Sequence, residues 1–323
     1  MNTTPRIPTT NKTDFEEINC YLCGKNNFKP FTVAEDDLGG RPGKFSFVTC
    51  NNCGLAYQNP RLNANKISEY YDDEYIAHRK KTNWGPLTPL YRRAMDRHDI
   101  QKIKLCRRYI EINHKTRTLD IGCGAATFLQ MLKDKFSNDV TGVDFKDLST
   151  LPGFDKINFK KGLFYEQNFN NQKFDLITMW HFLEHDYEPV RTLQLARDLL
   201  TENGRIIIEV PRLDSLSFKL YKERWPGLQA PQHTLLFNKE TLLAMVKNSG
   251  LEVIDYLPYG AFPAYFYLFT GFAFKLLKGK GLNLNQAILP YFIGNFLLAP
   301  LLLFERHLNL AMQTIILGVK HSK

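Results

Sequence analysis

The segment LDIGCGAATF, residues 119–128, constrains the fold more than any other part of this chain. It belongs to the run TRTLDIG, which predicts a β-strand, and leads into FLQMLKDKF, which predicts a helix. Gly122 and Gly124 allow the backbone to approach a ligand closely, and the N-terminus of the helix offers free N–H groups. This order of strand, glycine turn and helix predicts a ligand-binding loop that opens a βαβ unit.

Strands and helices continue to alternate after this loop. VTGVDF, INFKKG, KFDLITM, GRIIIEVP and LEVIDYLPY predict strands, and an Asn-Gly turn opens GRIIIEVP. RTLQLARDLL and ETLLAMVKNSG predict helices, the second of which ends at Gly250. MQTIILGVKHSK predicts a last strand. Such alternation predicts an α/β fold with a parallel, doubly wound sheet and helices on both faces.

An acidic residue stands at the end of the second predicted strand. Asp144 lies 20 positions after Gly124, where a carboxylate can accept hydrogen bonds from both hydroxyls of a ribose. The loop carries Ala125 and Ala126 where a dinucleotide-binding loop usually has its third glycine, and Asp120 precedes its first. These residues predict a nucleotide-containing cofactor other than a dinucleotide.

Asp-x-Gly-x-Gly resembles motif I of the class I S-adenosylmethionine-dependent methyltransferases. The resemblance implies a Rossmann-like, seven-stranded sheet, with Asp120 near the methionine amino group and the glycines beside the methionyl chain. We therefore expect the following residues to contact the cofactor: Asp120, Gly122, Cys123, Gly124, Asp144, Phe145, Trp180 and His181. The third-strand region KKGLFYEQNF lacks the Asp that often holds the adenine amine in this family, and Leu163 or Phe164 is the candidate to pack against the ring.

The resemblance extends over residues 18 to 260 and the tail strand. FDLITMWHFLEHDYEP resembles the fourth strand and its loop, and NGRIIIEVPR resembles the fifth strand. PGLQAPQHTLLFNKETLLAMVKNSGLEVI and the CxxCG pairs resemble segments of one bacterial subgroup. Because several of its members methylate sugars or lipid-linked saccharides, the resemblance implies methyl transfer to a small-molecule acceptor of that kind.

WHFLEH, residues 180–185, has three interpretations. In the first it is structural, with Trp180 and His181 bordering the cofactor while Glu184 and His185 hold the loop. In the second, His181, Glu184 and His185, with or without His233, bind a divalent ion, since related metal-dependent methyltransferases carry Glu-x-x-Glu-His here. In the third, a histidine removes a proton from the acceptor. We take His233, in APQHTLLF, as the first candidate for catalysis, together with His181 and Glu184.

Four of the six cysteines form two Cys-x-x-Cys-Gly pairs. Cys20 and Cys23 are followed by Gly24, and Cys50 and Cys53 by Gly54. Four thiolates complete a tetrahedral shell around Zn²⁺ with no open position, so we predict a structural zinc ribbon. A dithiol redox pair or two disulfides are the alternatives.

The net charge of +9 is uneven, because residues 61–118 hold 14 Lys and Arg against 7 Asp and Glu, a balance of +7. A solvated helical face is the plain explanation, and anionic lipid or a phosphorylated partner is the functional one. Nucleic acid is a less favoured partner. An RNA methyltransferase using this stretch is one alternative function, and a non-catalytic, membrane-associated adaptor is another.

Residues 261–311 are rich in Phe, Leu and Tyr and interrupt the domain before its last strand. Pro, Gly or Lys breaks each apolar run before 20 residues, which is short for a membrane-spanning helix. The segment predicts an amphipathic helical hairpin that contacts a membrane surface or an apolar substrate, or that packs on the domain or on a second copy. The polar start of the chain lacks the apolar core of a secretion signal, so we expect a cytoplasmic protein, at the inner face of the membrane if this segment binds lipid.

The sequence therefore predicts four parts. A zinc-ribbon module with a polar leader covers residues 1–60, a basic helical linker covers 61–117, and the methyltransferase domain covers 118–260 and 312–323. The apolar helical insert covers 261–311. The oligomeric state is left open.

Overall fold

The computed structural model describes residues 12–71, 88–282, 284–302 and 304–319. They divide into two units. The first lies within Met1–Asp72, Pro211–Thr241 and Ala264–Ala311, and the second within Asp73–Val210, Leu242–Pro263 and Met312–Lys323. The four-part division predicted from the sequence stays a prediction.

The strands of the described residues form three sheets. In chain order they are β1 (Phe15–Glu16), β2 (Phe28–Ala34), β3 (Phe45–Cys50), β4 (Ala56–Gln58), β5 (Arg61–Leu62), β6 (Arg117–Ile121), β7 (Asp139–Asp144), β8 (Asn158–Lys161), β9 (Phe174–Trp180), β10 (Leu200–Pro211), β11 (Leu235–Leu236), β12 (Leu251–Leu257) and β13 (Met312–Val319).

The helices of the described residues include six of ten residues or more. In chain order they are α1 (Ala64–Ile67), α2 (Thr88–Cys106), α3 (Thr127–Phe136), α4 (Pro189–Leu199), α5 (Leu216–Tyr221), α6 (Lys239–Asn248), α7 (Ala264–Leu277), α8 (Leu284–Leu302) and α9 (Glu305–Leu308).

A seven-stranded sheet in the order β12-β13-β10-β9-β6-β7-β8 is the centre of the second unit. The run from β10 to β8 is parallel, whereas β12 and β13 are antiparallel. The predicted Rossmann-like seven-stranded fold is therefore confirmed, and the sheet is mixed rather than wholly parallel. Leu119, Ile177 and Ile207 in the three middle strands are fully buried, as expected for strands covered on both faces.

One strand boundary differs from its prediction. The Asn203–Gly204 turn lies inside β10 rather than before it, because β10 begins at Leu200, and its pairing with β9 shifts register between Leu200 and Arg205. Leu200 and Arg205 both pair with β9, and the residues between them, including Asn203 and Gly204, form the irregular part of β10.

In the first unit, a four-stranded sheet has the order β11-β4-β3-β2. The helices α7 and α8 of this unit contact one another through Tyr265 and Tyr291, whose ring centroids are 5.1 Å apart. No helix among the described residues has the length and apolar character needed to cross a bilayer.

Candidate active site

The glycine loop connects β6 to α3 at the carboxyl end of the parallel strands. Gly122 and Gly124 have φ values of 74° and 51°, in the left-handed region that glycine adopts at low cost. The N–H of Gly122 donates to the carbonyl of Val143 at 2.8 Å. A Cβ atom on Gly122 would lie 2.4 Å from the ring of Phe182, so the loop packs too closely for another residue here.

Asp120, the last-but-one residue of β6, is buried beneath this loop. The hydroxyl of Thr178, on β9, donates to its carboxylate at 2.6 Å. Burial raises the pKa of Asp120 to about 7, although the Thr178 hydrogen bond and the charge of Lys102 act in the opposite direction. A carboxylate with such a pKa is readily stabilised in its ionised form by a cation.

Asp144 ends β7 and faces the same loop. Its carboxylate accepts hydrogen bonds from the N–H groups of Gly124 and Lys146, both at 3.0 Å. The structure thus brings together the loop and the acidic residue that the sequence predicts to act together.

The other predicted cofactor residues differ in exposure. Cys123 turns its thiol into the core toward Gly142, so only its backbone is available to a ligand. Phe145 is 38% exposed. The indole N–H of Trp180 is buried without a hydrogen-bond acceptor among the described residues, as expected where a ligand supplies one.

Leu163 and Phe164, the candidates for adenine packing, differ clearly in exposure. Phe164 is buried, and its ring centroid lies 5.6 Å from that of Phe169. Leu163 is 40% exposed just after β8. Leu163 is therefore the better candidate of the two.

The helix α2 contributes charged residues that the sequence analysis did not single out. Lys102 Nζ lies 3.3 Å from Asp99 Oδ1 and 5.4 Å from the ring centroid of Trp180. Asp99 is buried and its side chain is 3% exposed. No local motif marks this pair, since only the fold brings α2 to the ends of β6 and β9.

His181, the first residue after β9, lies between two buried carboxylates. Its Nδ1 is 3.5 Å from Glu184 Oε1 and its Nε2 is 3.3 Å from Glu209 Oε1. Burial lowers the pKa of His181, but the two glutamates outweigh burial and raise it to about 9. An imidazolium has no lone pair to bind a metal ion or to accept a proton. A protonated His181 therefore serves neither as a metal ligand nor as a base.

Glu209, on β10, is the acidic partner that the sequence analysis missed. Its side chain is fully buried, and it accepts hydrogen bonds from the N–H groups of Ala261 and Phe262 at 2.5 and 3.0 Å. The sequence did carry a signal, because Glu209 is the one charged residue in the apolar run IIIEVP.

His233 belongs to the first unit, just before β11. It is buried, and its Nδ1 lies 2.8 Å from the carbonyl of Gly227. A carbonyl only accepts hydrogen bonds, so a neutral His233 carries its proton on Nδ1 and its lone pair on Nε2.

The four predicted cysteine ligands form one cluster in the first unit. Their sulfur atoms all lie within 4.8 Å of one another, with Cys20–Cys53 at 3.4 Å and Cys23–Cys50 at 3.5 Å. A tetrahedral ion with Zn–S bonds of about 2.3 Å needs sulfurs about 3.8 Å apart, so the cluster fits. Burial raises the pKa of the Cys50 thiol, but hydrogen bonds from the backbone N–H groups of Cys53 and Asn52 outweigh burial, and the pKa falls to about 7.

Together, the mixed seven-stranded sheet, the glycine loop after β6 and the carboxylate after β7 define a Rossmann-like nucleotide-binding enzyme. A family model described as a methyltransferase domain matches residues 91–256, more than half of the chain. The chain belongs to this family and is an S-adenosylmethionine-dependent methyltransferase. The predicted methyltransferase family and the predicted cofactor S-adenosylmethionine are thereby confirmed.

Several solved structures are similar to the chain. An S-adenosylmethionine-dependent methyltransferase from Clostridium acetobutylicum is 13% identical, with 80% of this chain and 99% of that chain covered and a TM-score of 0.45. A putative methyltransferase in complex with the Trm112 activator from Haloferax volcanii is 13% identical, with 71% of this chain and 93% of that chain covered and a TM-score of 0.47. A putative sarcosine dimethylglycine methyltransferase from Galdieria sulphuraria is 15% identical, with 69% of this chain and 85% of that chain covered and a TM-score of 0.46. No curated protein matches the chain.

Proposed function

We propose that this methyltransferase acts on a saccharide or a lipid-linked small molecule at the inner face of a membrane. The observation that carries the proposal is a large exposed apolar surface on α7, α8 and α9, which suits an enzyme whose acceptor is anchored in lipid. The resemblance of the cysteine pairs and of the PQH segment to a saccharide-methylating subgroup supports the same acceptor class.

The exposed apolar surface consists of large side chains in the first unit. On α8, Leu289, Ile293, Phe296 and Leu297 are spaced at i, i+4, i+7 and i+8 and so share one face of the helix. Phe296 is 82% and Leu297 69% exposed. The remaining members are Phe272, Leu276, Leu298, Phe304 and Leu308.

Charge favours a membrane over a second copy of the chain as the partner of this surface. The exposed lysines Lys275, Lys278 and Lys280 follow or border the apolar residues of α7, and the sequence has no Asp or Glu from residue 264 to residue 304. Two such surfaces facing each other would bring their lysines close together. An anionic lipid surface offers both apolar depth and opposite charge.

In the cofactor site, the residues of the chain would hold and orient S-adenosylmethionine. S-adenosylmethionine, when bound, supplies an electrophilic methyl group. Asp120 offers a carboxylate to the amino group, Asp144 offers one to the ribose hydroxyls, and the loop at Gly122 and Gly124 admits the methionyl chain. The indole N–H of Trp180, which has no acceptor within the described part of the chain, and the close-packed glycine loop both fit this ligand.

Methyl transfer to an O–H or N–H acceptor needs alignment and removal of one proton. We propose His233 as the group that accepts this proton, since its segment resembles one found in a saccharide-methylating subgroup and an imidazole suits proton removal near neutral pH. His181, with Glu184, would contribute a fixed positive charge instead of a base.

For the cysteine cluster we propose a structural Zn²⁺ held by Cys20, Cys23, Cys50 and Cys53. The four sulfurs leave no position for a substrate, so the ion would stabilise the fold of its module. We do not expect a second ion at WHFLEH.

Incubation of the purified protein with methyl-labelled S-adenosylmethionine and cell extracts, separated into lipid, saccharide and RNA fractions, tests the proposal. Label in a lipid or saccharide fraction that persists with a chelator in the assay supports it. Label confined to RNA, or turnover that a chelator abolishes while the protein stays folded, contradicts it.

A further inference from the structure

Glu209 connects three parts of the second unit. Its two carboxylate oxygens accept the N–H groups of Ala261 and Phe262, one each, and its Oε1 lies 3.3 Å from His181 Nε2. The hydroxyl of Thr314, on β13, lies 3.4 Å from Oε2. Gly260 also passes so close that a Cβ atom there would lie 2.6 Å from the carboxylate carbon. One buried side chain thus holds both the residue after β9 and the segment after β12.

The backbone of His181 needs such support. Its φ of 55° is in the left-handed region, which is costly for a residue other than glycine and persists where the surroundings fix it. The N–H of His181 donates to the carbonyl of Glu209 at 2.9 Å. Glu209 therefore contacts both the main chain and the ring of His181.

The ring of Phe262 completes the arrangement. Its centroid lies 4.8 Å from the ring centroid of His181 and 5.2 Å from that of His98, in an edge-on geometry in both cases. Because Glu209 holds the backbone of Phe262, the same carboxylate fixes one wall around His181.

Two glutamates and a second histidine surround the ring of His181. Glu184 and Glu209 face its two ring nitrogens, and His98 approaches it from α2. Burial, Lys102 and His181 together lower the pKa of His98 well below its usual range, so His98 is neutral and does not compete for the carboxylates. Removing one partner from a buried set of charges leaves the others uncompensated, which is costly.

We propose that Glu209 is a positioning residue of the methyl-transfer site: it fixes His181 as a cation at the end of β9 and anchors Ala261 and Phe262 beside it. A role of Glu209 in methyl transfer rests on the proposed function of the site, whereas its hold on His181, Ala261 and Phe262 does not. The positioning itself is measurable without an acceptor.

The test compares Glu209→Gln with Glu184→Gln in the full chain. Nitrogen-15 NMR of labelled histidine follows the His181 titration, and hydrogen exchange follows the amides of Ala261 and Phe262. We expect both variants to lower the His181 midpoint by about one pH unit or more. Only Glu209→Gln should speed exchange of the two amides, by about tenfold, because Glu184 does not hold them.

The exposed Glu252 on β12 offers a matched control, and Glu252→Gln should change neither readout. A wild-type His181 that titrates near its ordinary pKa of about 6.5, or equal amide exchange in the two test variants, overturns the proposal. Should Glu209→Gln fail to fold, the wild-type titration and Glu184→Gln still decide it. S-adenosylhomocysteine binding by each variant is measured separately, so a loss of the cofactor site would not be mistaken for a loss of positioning.

Discussion

The hydroxyl of Thr178 donates to the buried carboxylate of Asp120 at 2.6 Å, across the pair formed by β6 and β9. These two residues are direct neighbours in the register of the sheet. The hydroxyl stabilises the ionised carboxylate against a burial that raises its pKa to about 7. The charge state of Asp120 thus changes within the physiological range.

We expect binding of S-adenosylhomocysteine to depend on this charge. As pH rises from 6 toward 7, Asp120 loses its proton and becomes able to pair with the amino group, so affinity should increase, by at most about tenfold per pH unit. Calorimetric titrations at several pH values measure this. Thr178→Val should move the midpoint to higher pH, because the ionised form loses a hydrogen bond. An unchanged pH profile in Asp120→Asn would contradict the assignment.

Stability should also depend on pH through His181. The folded pKa of about 9 exceeds the usual 6.5, so the stabilisation is complete below pH 6.5 and is lost as pH rises through about 9. Thermal unfolding at pH 6, 8 and 10 measures it. We expect the wild type to lose more stability than His181→Gln between pH 6.5 and 9, since the variant lacks the titrating group. Parallel losses in the two proteins would rule out a protonated His181.

The cysteine cluster predicts about one zinc per chain in the purified protein. Cys50→Ser should lose the metal and should unfold at a lower temperature, because the module depends on the ion for its fold. Elemental analysis with thermal unfolding measures both. Cys106→Ser is the matched control and should keep the metal, since Cys106 is a buried core residue outside the cluster. A second equivalent of metal that disappears in His181→Ala would show that WHFLEH binds an ion after all.

The apolar surface predicts binding to anionic vesicles. Phe296→Ser with Leu297→Ser should weaken binding by about tenfold or more. Burial of one such apolar side chain in the membrane contributes about 1.5–3 kcal/mol, which each substitution removes. Co-sedimentation with vesicles containing phosphatidylserine, compared with phosphatidylcholine alone, measures the effect. Ile254→Ser, which changes an exposed apolar residue on β12, is the control. Equal binding by the double variant, or a dimer that the double variant abolishes, would contradict a lipid partner.

The sequence predicted the fold and the cofactor loop because both depend on local patterns. The run into Gly122 and the position of Asp144 are set by strand length and turn chemistry, which a single sequence displays. Glu209, Asp99 and Lys102 are brought to the site by strand order and by the placement of α2. Their roles depend on contacts between residues far apart in the chain, which periodicity does not encode.

The direct test of the cofactor site is a calorimetric titration of the purified chain with S-adenosylhomocysteine. We expect one site per chain in the wild type and in Asp139→Asn, whose exposed carboxylate lies at the opposite end of β7. Asp144→Ala should bind about 10- to 100-fold more weakly, since it loses the carboxylate that would accept the ribose hydroxyls and that holds the N–H groups of Gly124 and Lys146. Absence of binding by the folded wild-type protein, or unchanged affinity in Asp144→Ala, would contradict the account.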